Sequence, residues 1–285
     1  MKYYLKLIRP INLILTALTQ LLFILSASRI NHSFLHFDWS NIRFQESITT
    51  MLAFLFVAAG GYVINDVFDI ETDNINRPEK QIIDKHISPK SAKIYYAVLT
   101  SLAIISGFLT GVGMGILSIA LAILLYFYSS DLKGEMLQGN LLISMIAGMV
   151  VYVSSRGVFN VQNTYFAEYA SMAFSITMAR ELIKDIEDIE GDKAQEYETY
   201  PILKGVRATK LLAAIFLIIT LFIAVVLNFQ TTALLFQIYI SCFIIAPIIY
   251  FLYLLYNAKE KIQFRKISNW LKLTMFIGLF SSLFC

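Results

Sequence analysis

The feature that most constrains this sequence is a series of apolar runs, each close to the length that crosses a lipid bilayer. A helix needs about 20 apolar residues to span the hydrocarbon core. Nine runs approach that length, at residues 11–28, 47–66, 92–110, 114–130, 139–156, 165–183, 209–228, 231–256 and 267–285. Because 58% of the chain is hydrophobic, a soluble core could not bury this surface. The sequence therefore predicts an all-α, polytopic membrane protein with nine transmembrane helices in one domain, residues 1–285.

The basic residues predict the orientation of these helices. With the N-terminus in the cytoplasm, 20 of the 23 Lys and Arg residues fall in cytoplasmic segments, and only Arg29, Arg43 and Arg156 lie outside. Lys and Arg are enriched on the cytoplasmic side of membrane proteins. We therefore predict a protein of the cytoplasmic membrane with its N-terminus inside. Membrane lipids are its expected surroundings, and nothing in its composition points to nucleic acid.

Fourteen of the 20 acidic residues lie in two segments, 65–85 and 181–198, which this orientation places on the cytoplasmic side. Each segment begins at the end of a predicted membrane helix. The first reads NDVFDIETD from 65 to 73 and, if the helix continues, places one set of side chains on a single face. The second reads KDIEDIEGD from 184 to 192 and repeats the arrangement. Like charges at helical spacing repel unless a cation lies between them, so both segments predict a cation site.

Magnesium is the cation that these ligands favour. Carboxylate oxygens on one side, with room for substrate phosphates on the other, suit Mg²⁺, which keeps several waters and is shared with a diphosphate. The two Cys and three His residues lack the spacing of a zinc site. The predicted metal ligands are Asn65, Asp66, Asp69, Asp73, Asp185, Asp188 and Asp192, of which Asp69, Asp73, Asp188 and Asp192 are the predicted catalytic residues.

Basic residues flank both acidic segments. Mg²⁺ with Lys and Arg around a phosphate-bearing leaving group is the arrangement expected for breaking a bond between carbon and a phosphate oxygen. The residues predicted to bind the diphosphate are Asn65, Arg77, Lys133, Arg180, Lys184, Lys204 and Arg207. For any single Lys, a solvated position that obeys the cytoplasmic charge bias is an equally good interpretation.

Two long motifs give the chain a resemblance to a known family. NDVFDIETDNINRP at 65–78 and RELIKDIEDIEGD at 180–192 resemble the paired Asp motifs of the UbiA superfamily of intramembrane prenyltransferases. Supporting matches are RPIN at 9–12, YSSDLK at 128–133 with Gly139 and Asn140 after it, and TYPI at 199–202. The resemblance implies a nine-helix bundle around a cavity, with both Asp motifs on the cytoplasmic side and a lateral route for a lipid chain. Each motif would bind one edge of a magnesium diphosphate.

The resemblance also implies the reaction. We expect Mg²⁺-dependent transfer of a polyprenyl group from an allylic diphosphate to a lipid-like acceptor. The second motif is most similar to that of enzymes whose acceptor is the hydroxyl of a prenylated glycerol phosphate. Two departures from the family pattern, EKQIIDKH at 79–86 and Tyr200 before Pro201, leave the contacts of the first loop and the acceptor open. An aromatic acceptor of quinone biosynthesis, a terpene cyclase and a transporter with cation-binding acidic loops remain alternatives.

Overall fold

The computed structural model describes residues 2–28, 37–70, 81–157 and 165–284. All regular elements within these ranges are helices, joined by turns and short connecting segments, so the predicted all-α class is confirmed. The elements are α1 (Lys2–Leu7), α2 (Pro10–Ala27), α3 (Phe44–Phe68), α4 (Pro89–Thr110), α5 (Val112–Ser130), α6 (Gln138–Val153), α7 (Phe166–Ala194), α8 (Tyr200–Gln230), α9 (Leu234–Ile240), α10 (Ala246–Asn257) and α11 (Lys261–Leu279). A π-helical turn, Ser241–Ile245, joins α9 to α10.

Seven helical segments among the described residues are long and apolar enough to cross a membrane. They are α2, α3, α4, α5, α8, the continuous segment Leu234–Asn257, and Lys261–Phe284. The other two predicted spans coincide with α6 and α7. At 1.5 Å per residue the 16 residues of α6 extend about 24 Å, less than the ~30 Å of a hydrocarbon core. The second half of α7 is charged. The chain is thus an integral membrane protein, and the number nine stays a prediction.

Two helix boundaries differ from the sequence expectation. The sixth apolar run was expected to end at 183, but α7 continues to Ala194 because its charged half packs against α11 through ion pairs. The seventh run was expected to begin at 209, but α8 begins at Tyr200, with Pro201 in its first turn. Gly205 interrupts α8 with a φ of 85°, a left-handed conformation that glycine adopts without steric cost. Hydropathy alone cannot detect these polar extensions.

The connection between α4 and α5 is very short. Gly111 alone separates α4 from α5, with a φ of 150° that a side chain rarely permits. Its N–H donates to the carbonyl oxygen of Gly107 at 3.1 Å, which closes α4. Gly111 therefore serves a tight turn between the two helices.

The described residues form two compact units. The first unit comprises residues 1–20 and 43–133; there α3 packs against α4 and α5, over a core that includes Val63, Ile83 and Leu99. The second unit comprises residues 21–42 and 134–285; there α7 packs against α6, α8 and α11. Its core follows α7 through Ile176, Leu182 and neighbouring apolar residues. That the chain is one domain stays a prediction.

Candidate active site

The first acidic motif lies at the end of α3, in the first unit. α3 ends at Phe68, and Asp69 is its C-terminal cap, whose N–H donates to the carbonyl oxygen of Asn65 at 2.9 Å. Asn65 and Asp66 lie on the last turn. Asp73 and Arg77 lie outside the described residues.

Asp69 is the centre of a small polar network. Asn65 Nδ2 donates to Asp69 Oδ2 at 2.6 Å, and Lys133 Nζ donates to the same oxygen at 2.5 Å. Asp69 itself is only 7% exposed. Lys133 follows α5 in a short 3-10 turn, Leu132–Gly134, which brings it back to the end of α3. The structure therefore brings three of the predicted residues, Asn65, Asp69 and Lys133, into contact.

Asp66 has a different partner, which the sequence analysis did not assign. Arg9 Nη2 lies 2.7 Å from Asp66 Oδ1, and its guanidinium carbon lies 4.9 Å from the ring centroid of Tyr62, one helical turn earlier. Arg9 has a φ of 50°, a left-handed conformation that costs roughly 1–2 kcal/mol for a residue with a Cβ. The RPIN match at 9–12 was the available signal. It marked the residue without indicating its partner.

The second acidic motif is helical throughout, as predicted, because α7 continues to Ala194. Asp185, Asp188 and Asp192 therefore have helical spacing. Asn140, in the first turn of α6, donates from Nδ2 to Asp185 Oδ2 at 2.6 Å. Sequence reasoning gave Asn140 no role, although it belonged to the family match after Lys133.

Burial raises the pKa of Asp185 to about 7, and the negative charges of Glu181 and Asp192 act in the same direction, while the hydrogen bond from Asn140 opposes them. The protein atoms around the carboxyl group disfavour its charged form, although part of the residue remains exposed. A cation bound nearby would favour the ionised form.

The remaining predicted basic residues have varied positions in the second unit. Arg180 and Lys184 both contact the carboxylate of Glu181, Lys184 at 3.8 Å. Lys204 and Arg207 are exposed on α8, on either side of Gly205. Arg180 lies five residues before Asp185, about 140° around a helix with 3.6 residues per turn. It therefore does not share a face with Asp185.

The ligand types fit magnesium, although no assembled metal site is visible in the ranges that the structure describes. Within those ranges no three His, Cys, Asp or Glu side chains converge on one point. The carboxylates of Asp66, Asp69 and Asp185 instead contact cationic or amide groups. All predicted ligands supply hard oxygen atoms, which Mg²⁺ prefers. The residues that would hold the ion are the carboxylates of the two motifs, together with Asn65.

The loop after the second motif depends on Gly134. Its carbonyl oxygen accepts the N–H of Glu198 at 2.8 Å, and the N–H of Tyr197 donates to the carbonyl oxygen of Asp192 at 3.0 Å. A Cβ atom added at Gly134 would lie 2.6 Å from Cδ1 of Tyr197, closer than real contacts permit.

We expect Gly134→Ala to destabilise the protein by about 1–3 kcal/mol, the usual cost of overpacking. Thermal unfolding in detergent measures this effect. Adding Tyr197→Ala removes the ring and should recover most of the loss. If the double variant is as unstable as the sum of the two single variants, the contact with Tyr197 is not the cause.

Comparison with known proteins identifies the family. The chain matches the UbiA prenyltransferase family over residues 14–279. It is 33% identical over 284 residues to digeranylgeranylglyceryl phosphate synthase of Methanosphaera stadtmanae, covering 99% of this chain and 98% of that protein. It is 35% identical over 219 residues to the synthase of the same name from Methanothermobacter thermautotrophicus, covering 77% of this chain and 73% of that one.

Solved structures agree in fold. A structure of digeranylgeranylglyceryl phosphate synthase has a TM-score of 0.78 and 26% identity, covering 99% of this chain and 96% of that one. A UbiA homologue from Archaeoglobus fulgidus bound to GPP and Mg²⁺ has a TM-score of 0.67 at 16% identity, covering 99% of both chains. At that identity the second likeness concerns the fold alone. Since the family match covers nearly all of the sequence, the chain belongs to the UbiA prenyltransferase family.

Proposed function

We propose that this prenyltransferase transfers a polyprenyl group from its allylic diphosphate to the free hydroxyl of a prenylated glycerol phosphate, in a reaction that requires Mg²⁺. The observation that carries the proposal is the match, over almost the full length of both chains, to a digeranylgeranylglyceryl phosphate synthase. The matched region covers 99% of this chain and so includes both acidic motifs. The relatives that bind GPP or DMAPP with Mg²⁺ support the donor and the metal.

We propose that each of the two carboxylate sets binds part of the donor. In this proposal Asn65, Asp66, Asp69 and Asp73 bind one share of the Mg²⁺ and diphosphate, and Asp185, Asp188 and Asp192 bind the other. Mg²⁺, when bound, neutralises charge on the departing diphosphate. Asn65 and Lys133 hold the side chain of Asp69 in one orientation, and Asn140 does the same for Asp185. Fixed ligands of this kind need little reorganisation during the reaction.

The reaction exchanges one carbon–oxygen bond for another. The allylic carbon–oxygen bond breaks, and its electron pair leaves with the diphosphate. The acceptor hydroxyl oxygen then forms an ether bond to the allylic carbon and loses its proton. A carboxylate of the two motifs is the nearest base for that proton. Asp69, Asp73, Asp188 and Asp192 are the residues proposed to act at this centre, with Lys133 and Arg77 beside the diphosphate.

The acceptor is tested with purified protein, a labelled polyprenyl diphosphate and a panel of acceptors, with the products identified by mass. A prenylated glycerol phosphate should give an ether product, and EDTA should stop its formation. If an aromatic acid is prenylated faster than the glycerol phosphate, the acceptor is instead one of quinone biosynthesis. A hydrocarbon formed without any acceptor would identify a cyclase instead.

The proposed topology has nine spans with the N-terminus and both acidic motifs in the cytoplasm. The charge bias of the connecting segments supports it. In a variant without the native cysteines, single cysteines at Lys193 and Lys261 should react with an impermeant reagent only from the cytoplasmic side. A cysteine at Gln230 should react only from outside; all three positions are exposed. The reverse pattern at two of the three positions would disprove the orientation.

A phosphorylated acceptor brings a second anion, so the site needs cations beyond those that serve the diphosphate. Lys204 and Arg207 are the proposed source, and Lys133 could contribute only in addition to its place beside the diphosphate. Since Lys133 already contacts Asp69, Arg207 offers the cleaner test. We expect Arg207→Gln to raise the Michaelis constant for the glycerol phosphate acceptor about tenfold, the order of one hydrogen bond to a charged group. The Michaelis constant for the donor should change less, and an equal change in both would contradict this role.

A further inference from the structure

Within the second unit, the antiparallel helices α7 and α11 meet in a regular series of paired residues. Glu190 lies 3.4 Å from Lys261, and the carboxylate of Glu187 lies 2.7 Å from Arg265. At the other end Tyr169 of α7 and Ser281, in the 3-10 turn that follows α11, share a hydrogen bond of 2.6 Å between their hydroxyl oxygens. Opposite charges and matched hydroxyls thus hold the two helices together at both ends.

One position in this series has two cations. Arg180 lies seven residues before Glu187 on α7 and Lys272 lies seven residues after Arg265 on α11, so the two cations occupy matching positions of the antiparallel pair. Glu181 compensates Arg180 on one side. The Nε atom of Arg180 is nevertheless buried without a hydrogen-bond acceptor among the described residues. A bound anion would accept a hydrogen bond from this N–H.

An apolar cavity lies about one helical turn along each helix from this pair of cations, toward Tyr169 and Ser281. Its volume is about 70 Å³. Ile176 is four residues from Arg180, and Met275 is three residues from Lys272. The lining includes Met172, Ala173 and Ile176 of α7, Thr274, Met275 and Gly278 of α11, and Ile244 of the π-helical turn. The cavity reaches the surface of the protein on one side, because its lining residues Met275, Gly278 and Leu279 remain partly exposed.

A cation pair above an apolar cavity has the chemistry of a site for an anionic lipid. We propose that the second unit binds one phosphate-bearing membrane lipid here, with its head group between Arg180 and Lys272 and part of one hydrocarbon chain in the cavity. Phosphate accepts charge-assisted hydrogen bonds from both cations. The hydrocarbon replaces empty space beside the buried side chains of Met172 and Ile176, which gains dispersion contacts.

This site differs from the one that serves prenyl transfer. Arg180 projects about 140° away from Asp185 around α7, and the cavity residue Ile176 is aligned with Arg180. The bound lipid would therefore contact α11 instead of the carboxylates of the second motif. The proposal does not depend on which acceptor the enzyme uses.

Native mass spectrometry of the full chain in detergent tests the site. The probes are phosphatidylglycerol, which is anionic, and phosphatidylcholine with the same acyl chains, which has no net charge. The wild-type protein should retain one phosphatidylglycerol in preference to phosphatidylcholine. Lys272→Gln should weaken phosphatidylglycerol binding about tenfold, the order of one hydrogen bond to a charged group. Lys266→Gln, which removes an exposed charge from the same helix, should have no effect.

A second variant tests the chain pocket. Gly278→Leu directs a side chain into the cavity, and its Cβ would meet Ile244 at the ordinary distance of 3.4 Å. It should reduce binding of both lipids while the thermal unfolding temperature stays near that of the wild type. In lipid-free detergent Lys272→Gln should retain the wild-type rate of prenyl transfer. Equal binding of the two lipids, equal effects of the two Lys variants, or displacement of phosphatidylglycerol by a polyprenyl diphosphate would each overturn the proposal.

Discussion

Asp69→Asn is expected to lower the rate of prenyl transfer by about a hundredfold to a thousandfold, the usual effect of removing one preorganised electrostatic group from an active site. Asparagine keeps the size of the side chain and an oxygen that can accept hydrogen bonds from Asn65 and Lys133. It lacks the negative charge that a Mg²⁺ ligand contributes. The loss should therefore appear in turnover, while the helices stay folded.

The measurement is the initial rate of product formation with saturating donor, acceptor and Mg²⁺, with circular dichroism to confirm the helix content. Asp84→Asn is the matched control. Asp84 is exposed in the loop before α4 and has a φ of 74°, a conformation that asparagine tolerates well. This control should retain wild-type activity. An Asp69→Asn enzyme with more than half of the wild-type rate would show that Asp69 is not a metal ligand.

The sequence predicted the helices well where hydropathy and spacing carry the information. Apolar runs determine where a membrane helix can lie because the bilayer penalises polar residues, and seven described helical segments are long and apolar enough to cross a membrane. The extension of α7 to Ala194 follows from the helical spacing of the second motif and not from hydropathy. Glu187 and Glu190 are stabilised there by partners 78 and 71 residues away in the sequence, respectively. The extension of α8 before residue 209 contains the Gly205 break, which hydropathy does not register.

The candidate site was predictable in its residue types and less so in its pairings. Spacing placed Asn65 and Asp69 one turn apart, and the structure confirms their contact. No local pattern could indicate that Arg9 meets Asp66, because 57 residues separate them. Arg180 was grouped with the diphosphate-binding residues on proximity in sequence. Its role there stays a prediction, and its position about 140° around α7 from Asp185 means that these two side chains do not share a face.

Asn140→Leu is expected to have the second large effect, through Asp185. Asn140 Nδ2 donates to Asp185 Oδ2 at 2.6 Å, so it orients a proposed metal ligand without binding the metal itself. Substituting a partner of this kind lowers metal affinity or activity by about 10- to 100-fold. Leucine is similar in size and cannot donate. The buried carboxyl group would lose the interaction that opposes the rise of its pKa, so its ionised, metal-binding form would become less favourable.

The dependence of the rate on Mg²⁺ distinguishes this role from general damage to the fold. In Asn140→Leu the Mg²⁺ concentration for half-maximal rate should rise, while the Michaelis constant for the acceptor stays close to that of the wild type. Ser144→Ala is the control: its hydroxyl lies one turn along α6 and donates to the carbonyl oxygen of Asn140 at 2.6 Å. Removing that hydroxyl should leave the Mg²⁺ dependence unchanged. If Asn140→Leu lowers the rate equally at every Mg²⁺ concentration, Asn140 does not act through metal binding by Asp185. The proposal that Asp185 is a Mg²⁺ ligand then loses this support.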